Sequence, residues 1–216
     1  MHVPTNFSEN NFDSIIDFIA ANPLATLVAQ TSDGIEACHI PLFWHNDHSQ
    51  YGKLYGHFAR KNIIYQNALA STSWLIIFQD SGHYISPNWY PTKAKTHKEV
   101  PTWNYQSIHI QADINLIEDT DRLKWVLGKM TSQQETISDS PWSLEDAPAA
   151  YIDTMCRAII GFELTIEAVQ AQFKLSQGKV EENIAGVING LNELNTEHAA
   201  TMAHKVVKQN GYHSRR

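Results

Sequence analysis

Residues Leu24–Gln30 and Ile35–Trp44 are two strand-like runs separated by Ser32-Asp33-Gly34, and that spacing commits the chain to an antiparallel hairpin. A hairpin needs further strands to bury its apolar face, and the sequence offers them. Lys53–Ala59 reads as a third strand, Tyr105–Ile117 as a long one, and Ile159–Ile166 as a β-branched, alternating one. Trp74-Leu-Ile-Ile-Phe78 is apolar throughout, which predicts burial on both faces. Gly82–Ile85 begins another strand. Helical spacing appears in Asn11–Ala21 through Phe12, Ile15, Ile16 and Ile19, and in Asp119–Thr131 through Leu123, Val126, Leu127 and Met130. Lys61–Leu69 reads as a short helix, Ser143–Ala147 as a helix start, and Glu181–Leu194 with Thr196–Lys208 as a helical pair. Ser86–Pro101 is irregular. The expectation is an α+β fold, a mostly antiparallel barrel with peripheral helices.

With 16 Lys+Arg against 23 Asp+Glu the net charge is −7, a poor surface for nucleic acid. The dense basic cluster inside the fold is Lys93-Ala94-Lys95-Thr96-His97-Lys98; the tail, Ser214-Arg215-Arg216, is expected to fray. No apolar run approaches the roughly 20 residues of a membrane helix, and Met1-His2-Val3-Pro4 does not open a signal peptide. Cys38 and Cys156 form no C-x-x-C pair and read as small buried residues of a reducing compartment, which places the chain in the cytoplasm. The histidines, His39, His45, His48, His97 and His109 among them, show no metal-ligand spacing, so no metal is expected. Nucleophile-elbow, dinucleotide-fingerprint and P-loop patterns are absent, which removes support for hydrolase and Rossmann readings.

Three stretches carry chemistry. In Leu54-Tyr-Gly-His-Phe-Ala-Arg-Lys-Asn62 a strand gives way to a helix near Lys61. Arg60 offers a planar fork to phosphate oxygens, Lys61 a point charge, and helix amides favour an anion. Gly56 would let a ligand approach the backbone. The same pair reads equally as a solvated basic cap on a strand. In Cys38-His-Ile-Pro-Leu-Phe43, Pro41 marks a sheet edge or a bulge, with backbone groups free for a planar heterocycle or simply an edge strand. Pro87, Pro91 and Pro101, interleaved with Trp89, Tyr90, Trp103 and Tyr105, make either a stiff aromatic wall or a satellite hydrophobic cluster.

Taken in order, these stretches resemble the PaiB family, the FMN-binding "negative transcriptional regulators". The resemblance rests on Asn22-Pro-Leu-Ala-Thr-Leu27, Gly34-Ile-Glu-Ala-Cys-His-Ile-Pro41, Gly56-His-Phe-Ala-Arg-Lys-Asn62, Tyr84-Ile-Ser-Pro-Asn-Trp-Tyr-Pro-Thr-Lys93, Val100-Pro-Thr-Trp-Asn-Tyr105, Trp142-Ser-Leu-Glu-Asp-Ala-Pro148 and Lys174-Leu-Ser-Gln177. It runs to about Leu191, which suggests a domain over 1–191 and a helical extension over 192–216. It implies an FMN-binding split barrel, related to pyridoxamine-phosphate oxidases and flavin reductases, with FMN at the interface of a homodimer. Carried over, Arg60 and Lys61 hold the phosphate; His39, Ile40 and Pro41 line the ring edge; Trp89 and Trp103, Asn104 and Tyr105 frame the site; Lys174–Gln177 reaches it from the partner subunit. His57 would lie near the flavin as a proton shuttle, or serve as a structural histidine. The family pattern commonly continues after Lys-Leu-Ser-Gln with Asn-Arg or a similar pair, where this chain has Gly178-Lys179. The resemblance implies a transcriptional regulator, and the fold's relatives imply the alternative, an FMN-dependent oxidoreductase of unknown substrate. The acidic charge argues against direct DNA binding, although the C-terminal helix pair, with His198, His204, Lys205 and Lys208, could imitate a helix-turn-helix.

Overall fold

The expected hairpin forms. Leu24–Thr31 (β1) pairs antiparallel with Gly34–Pro41 (β2), in register from Leu24 opposite Pro41 to Thr31 opposite Gly34. Its two-residue turn is closed by Thr31, whose Oγ1 donates to the Gly34 carbonyl at 3.0 Å and accepts from the Asp33 N–H at 3.2 Å. Gly34 has φ +127°, a conformation that favours glycine. The computed structural model describes residues 1–70 and 72–212, so the expected frayed tail, Ser214-Arg215-Arg216, lies outside the described residues.

The remaining strands are Phe43–His45 (β3), Lys53–Ala59 (β4), Trp74–Gln79 (β5), His83–Ile85 (β6), Thr102–Ile117 (β7) and Ile159–Lys174 (β8). The eight form one sheet in the order β2-β1-β5-β7-β8-β4-β3, with β6 paired to β7. That hydrogen-bonded path has two ends, at β2 and β3, so the sheet does not close; the chain is α+β with a split, antiparallel barrel-type sheet. The helices are Phe12–Ala21 (α1), Ile64–Asn67 (α2), Thr92–Thr96 (α3), Thr120–Gln134 (α4), Ala149–Cys156 (α5), Glu181–Glu193 (α6) and Glu197–Asn210 (α7). Among the described residues, no helix is long and apolar enough to cross a membrane.

The chain divides into two compact units. The first comprises Met1–Asn11, Gln79–Ile108 and the chain from Gln170 on; the second comprises Phe12–Phe78 and His109–Val169. In the second unit, β1 contributes Leu27, β4 contributes Leu54 and Phe58, β5 contributes Ile76 and Phe78, and β8 contributes Phe162 and Leu164 to the core. The Phe58 and Phe162 rings lie 4.4 Å apart, close enough for favourable aromatic packing. In the first unit, α6 and α7 bury Val187, Leu191, Met202 and Val206. Gly186 and Gly190 of α6 seat the turn at Pro87–Trp89: a Cβ on Gly186 would meet the Trp89 carbonyl oxygen at 2.0 Å, and one on Gly190 the indole at 2.4 Å.

Four local expectations change. β5 alternates rather than being buried on both faces, because Leu75 and Ile77 stay partly exposed. β2 stops at Pro41, which lacks the N–H a ladder needs; Leu42 donates instead to the Pro23 carbonyl, and the run to Trp44 resumes as β3. β8 continues to Lys174 instead of ending at Ile166. Most relevant to the site, the helix expected from Lys61 begins only at Ile64 and lasts four residues.

Candidate functional site

β4 carries His57 and ends at Ala59, delivering Arg60 and Lys61 into an exposed turn. The turn is held through the Arg60 main chain. Its N–H donates to the Ala158 carbonyl at 2.9 Å, and its own carbonyl accepts from the Tyr65 hydroxyl at 3.0 Å and Gln66 Nε2 at 3.2 Å. The Arg60 side chain spends Nε on the Arg157 carbonyl, 3.0 Å away. Among the described residues, neither Arg60 nor Lys61 pairs with a carboxylate, whereas Lys53, Lys95, Arg122, Lys124, Lys179 and Lys205 all do. Two adjacent, exposed, unneutralised cations on a fixed backbone suit a phosphate dianion.

Two expectations change at this turn. A four-residue α2 provides no helix N-terminus to the anion, and Asn62 Oδ1 already accepts the Ile64 N–H at 3.1 Å. Gly56 is not a point of ligand approach. A Cβ there would lie 2.6 Å from Leu42 Cδ2 and 2.8 Å from Phe162 Cζ, so the space is core.

The second segment joins the first through the fold. His39 and Pro41 of β2 are exposed and Ile40 is buried. The His39 Nδ1 lies 3.0 Å from Thr26 Oγ1 across the hairpin. Cys38, half-buried, hydrogen-bonds with Asn62; burial raises its pKa against the lowering effect of that bond. Pro41 and His57 line one groove of about 360 Å³, together with Leu42, Leu127, Met130 and Trp142. The His57 Nδ1 is buried without a hydrogen-bond partner among the described residues, and desolvation, which disfavours the charged ring, lowers its pKa. The sequence does not single out the groove wall from α4 and Trp142. Its signal was the Leu127/Met130 spacing, which resembles any core-facing helix stripe.

The third segment belongs to the first unit. Trp103 is exposed, Asn104 is buried with Oδ1 unpartnered among the described residues, and Tyr105 is partly buried. Lys174–Gln177 is engaged within its own unit: Lys174 Nζ donates to Thr102 Oγ1 at 2.6 Å, Asn104 Nδ2 to Ser176 Oγ at 2.9 Å, and Gln177 Oε1 accepts from the Leu175 N–H at 2.6 Å. Lys179 binds Glu99 at 2.7 Å and lies over the Tyr90 ring, so it is a structural cation. No group of three His, Cys, Asp or Glu side chains converges as a metal site among the described residues.

A family model described as "Putative FMN-binding domain" matches residues 1–168. Protease synthase and sporulation protein PAI 2 of Bacillus subtilis (strain 168) is 30% identical over 203 residues, covering 94% of this chain and 95% of that protein. Among solved structures, the conserved hypothetical protein Rv2991 from Mycobacterium tuberculosis aligns with TM-score 0.59 at 12% identity, over 84% of this chain and 95% of that one. The FAD and heme binding protein from Mycobacterium smegmatis aligns with TM-score 0.54 at 13% identity, over 82% and 78% respectively. These two likenesses concern the fold.

Proposed function

This chain belongs to the PaiB family of FMN-binding proteins, and from that premise we propose that it works as a homodimer with FMN at the subunit interface, the phosphate on Arg60 and Lys61. The observation that carries this reading is the pair itself, exposed and without a carboxylate partner among the described residues, at the end of the strand that presents His57. Arg60 keeps its terminal guanidinium nitrogens for phosphate oxygens, and Lys61 adds a point charge. His39, Ile40 and Pro41 line the ring edge; Pro41 shares the groove with His57. Bound there, FMN supplies hydride-accepting chemistry, while the protein positions it and excludes water. His57, whose pKa burial lowers, holds or passes a proton beside the flavin. The roles of Trp103, Asn104 and Tyr105 rest on the family resemblance alone. The unpaired Cys38 and Cys156 support a reducing compartment, the cytoplasm.

The family resemblance also suggests a transcriptional regulator. The α6–α7 pair lends no support to direct DNA reading. Lys205 is committed to Asp80 at 2.7 Å, His198 Nε2 lies 2.8 Å from Ser81 Oγ, and α6 opens with Glu181 and Glu182. The groove beside His57 favours the second reading, an FMN-dependent oxidoreductase acting on a small molecule. Sedimentation of the FMN-loaded protein tests the dimer: a monomer that holds FMN tightly would contradict it. Anaerobic mixing with reduced nicotinamides separates the two functions. Bleaching of the flavin supports the oxidoreductase, and an unchanged flavin spectrum counts against a reductase.

A further inference from the structure

β6 and the first turn of α7 bring together two histidines that lie far apart in the sequence. The ring centres of His83 and His198 are 5.1 Å apart, with their planes tilted by 33°. Both residues belong to the first compact unit. Two imidazoles on one tetrahedral zinc, each nitrogen about 2.0–2.1 Å from the metal, have their ring centres about 5 Å apart. The observed separation matches that of a shared ion. The hydrogen bonds of the two rings suit the same role. His83 Nδ1 lies 2.7 Å from the Tyr84 carbonyl, which can only accept, so Nδ1 carries the proton and Nε2 the lone pair. His198 Nε2 lies 2.8 Å from Ser81 Oγ; with the hydroxyl accepting, His198 Nδ1 carries the lone pair. A metal-ligating histidine commonly donates its other ring N–H to such an acceptor, which fixes the ring's orientation. Neither His83 Nε2 nor His198 Nδ1 has a hydrogen-bond partner among the described residues.

His198 is exposed and His83 partly so, which opens the pair to an ion from solvent. Lys205, about two turns along α7 from His198, is neutralised by Asp80 at 2.7 Å. The exposed Tyr84 and Trp103, paired in the ladder, alternate to the other face of β6 and β7 from His83.

We infer that His83 and His198 are the protein ligands of an exchangeable site for a borderline divalent cation, zinc or nickel, with water in the remaining positions. Two ligands, rather than the four of a structural zinc site, keep the ion exchangeable. Bound, it clips the start of α7 to β6. The site uses none of the residues assigned to the flavin, so it stands whether or not that assignment holds.

The test titrates zinc chloride calorimetrically into the full-length, untagged protein, with thermal melts at about a hundredfold excess of zinc over the measured Kd. One zinc per chain is expected, with the melting temperature raised by about 5 °C. His83→Asn and His198→Asn should each weaken zinc at least tenfold and abolish the shift, while melting close to the parent without metal. His204→Asn, at an exposed histidine of the same helix, should leave both readings unchanged. Magnesium, which prefers oxygen ligands, should not replace zinc. Anomalous scattering from a zinc-soaked crystal of the parent locates the ion without any variant, and it is expected between the two imidazoles. No stoichiometric zinc binding, binding that survives both substitutions, an equal loss in His204→Asn, or an ion seated elsewhere would each overturn the inference.

Discussion

Gly186→Ala should destabilise the protein, although alanine is the better helix former. In an unobstructed helix interior the exchange gains about 1 kcal/mol. At Gly186 the new methyl would stand 2.0 Å from the Trp89 carbonyl oxygen and 2.9 Å from Pro91 Cδ. The first obstacle is main chain, so relief requires the Pro87–Trp89 turn to move off α6. Overpacking of this kind costs about 1–3 kcal/mol, occasionally more, and a backbone clash belongs at the upper end. The net loss is about 1–2 kcal/mol. For a chain of this size that lowers the melting temperature by about 2–8 °C. Gly128→Ala in α4 is the matched control. Its nearest obstacle is Leu144 Cδ1 at 3.7 Å, ordinary contact, so it should keep the helix gain and raise the melting temperature by about 2–4 °C. Thermal melts of the three proteins decide the point. If Gly186→Ala melts at or above the parent, the seating of Trp89 on the α6 glycines is not a constraint.

Three further outcomes are expected. Asp80→Ala removes a carboxylate that is paired with Lys205 and accepts the Gly82 and Gln106 N–H groups, so it should cost about 3 kcal/mol; urea unfolding measures it, and a loss no greater than that of Asp80→Asn would show that the charge alone matters. His57 has its pKa lowered by burial, so the unfolded chain takes up that proton first as pH falls. Stability is therefore intact above the unfolded histidine pKa and declines as pH drops below it, a decline that His57→Gln should lessen in pH-dependent melts. An electrophoretic titration at low salt should reveal no salt-sensitive DNA binding, and a salt-dependent complex would reopen α7 as a reading helix.

What was legible in the sequence was local. The β1–β2 hairpin follows from Ser32-Asp33-Gly34, and α1 and α4 follow from apolar spacing, because turn chemistry and helical period need no distant partner. Gly56 was misread because the residues filling the space above it include Phe162, more than a hundred positions away. The short α2 was overextended because Asn62 supplies a local acceptor that starts the helix late. The end of β8 was missed because Ala168–Gln172 breaks the alternation that marks Ile159–Ile166. At the site, Arg60 and Lys61 were visible as charges, but their lack of carboxylate partners is a property of the folded chain. The groove wall at Leu127, Met130 and Trp142 stayed hidden because only the fold sets it against His57 and Pro41.

The central claim is that FMN is held through its phosphate by Arg60 and Lys61. Binding of FMN and of riboflavin to the parent and to the Arg60→Ala/Lys61→Ala double variant tests it most directly, by titrating flavin fluorescence. Loss of two charge-assisted contacts at about 1.5–3 kcal/mol each predicts at least about 100-fold weaker FMN binding, with riboflavin affinity changed little. A double variant that binds FMN as tightly as the parent would contradict the account.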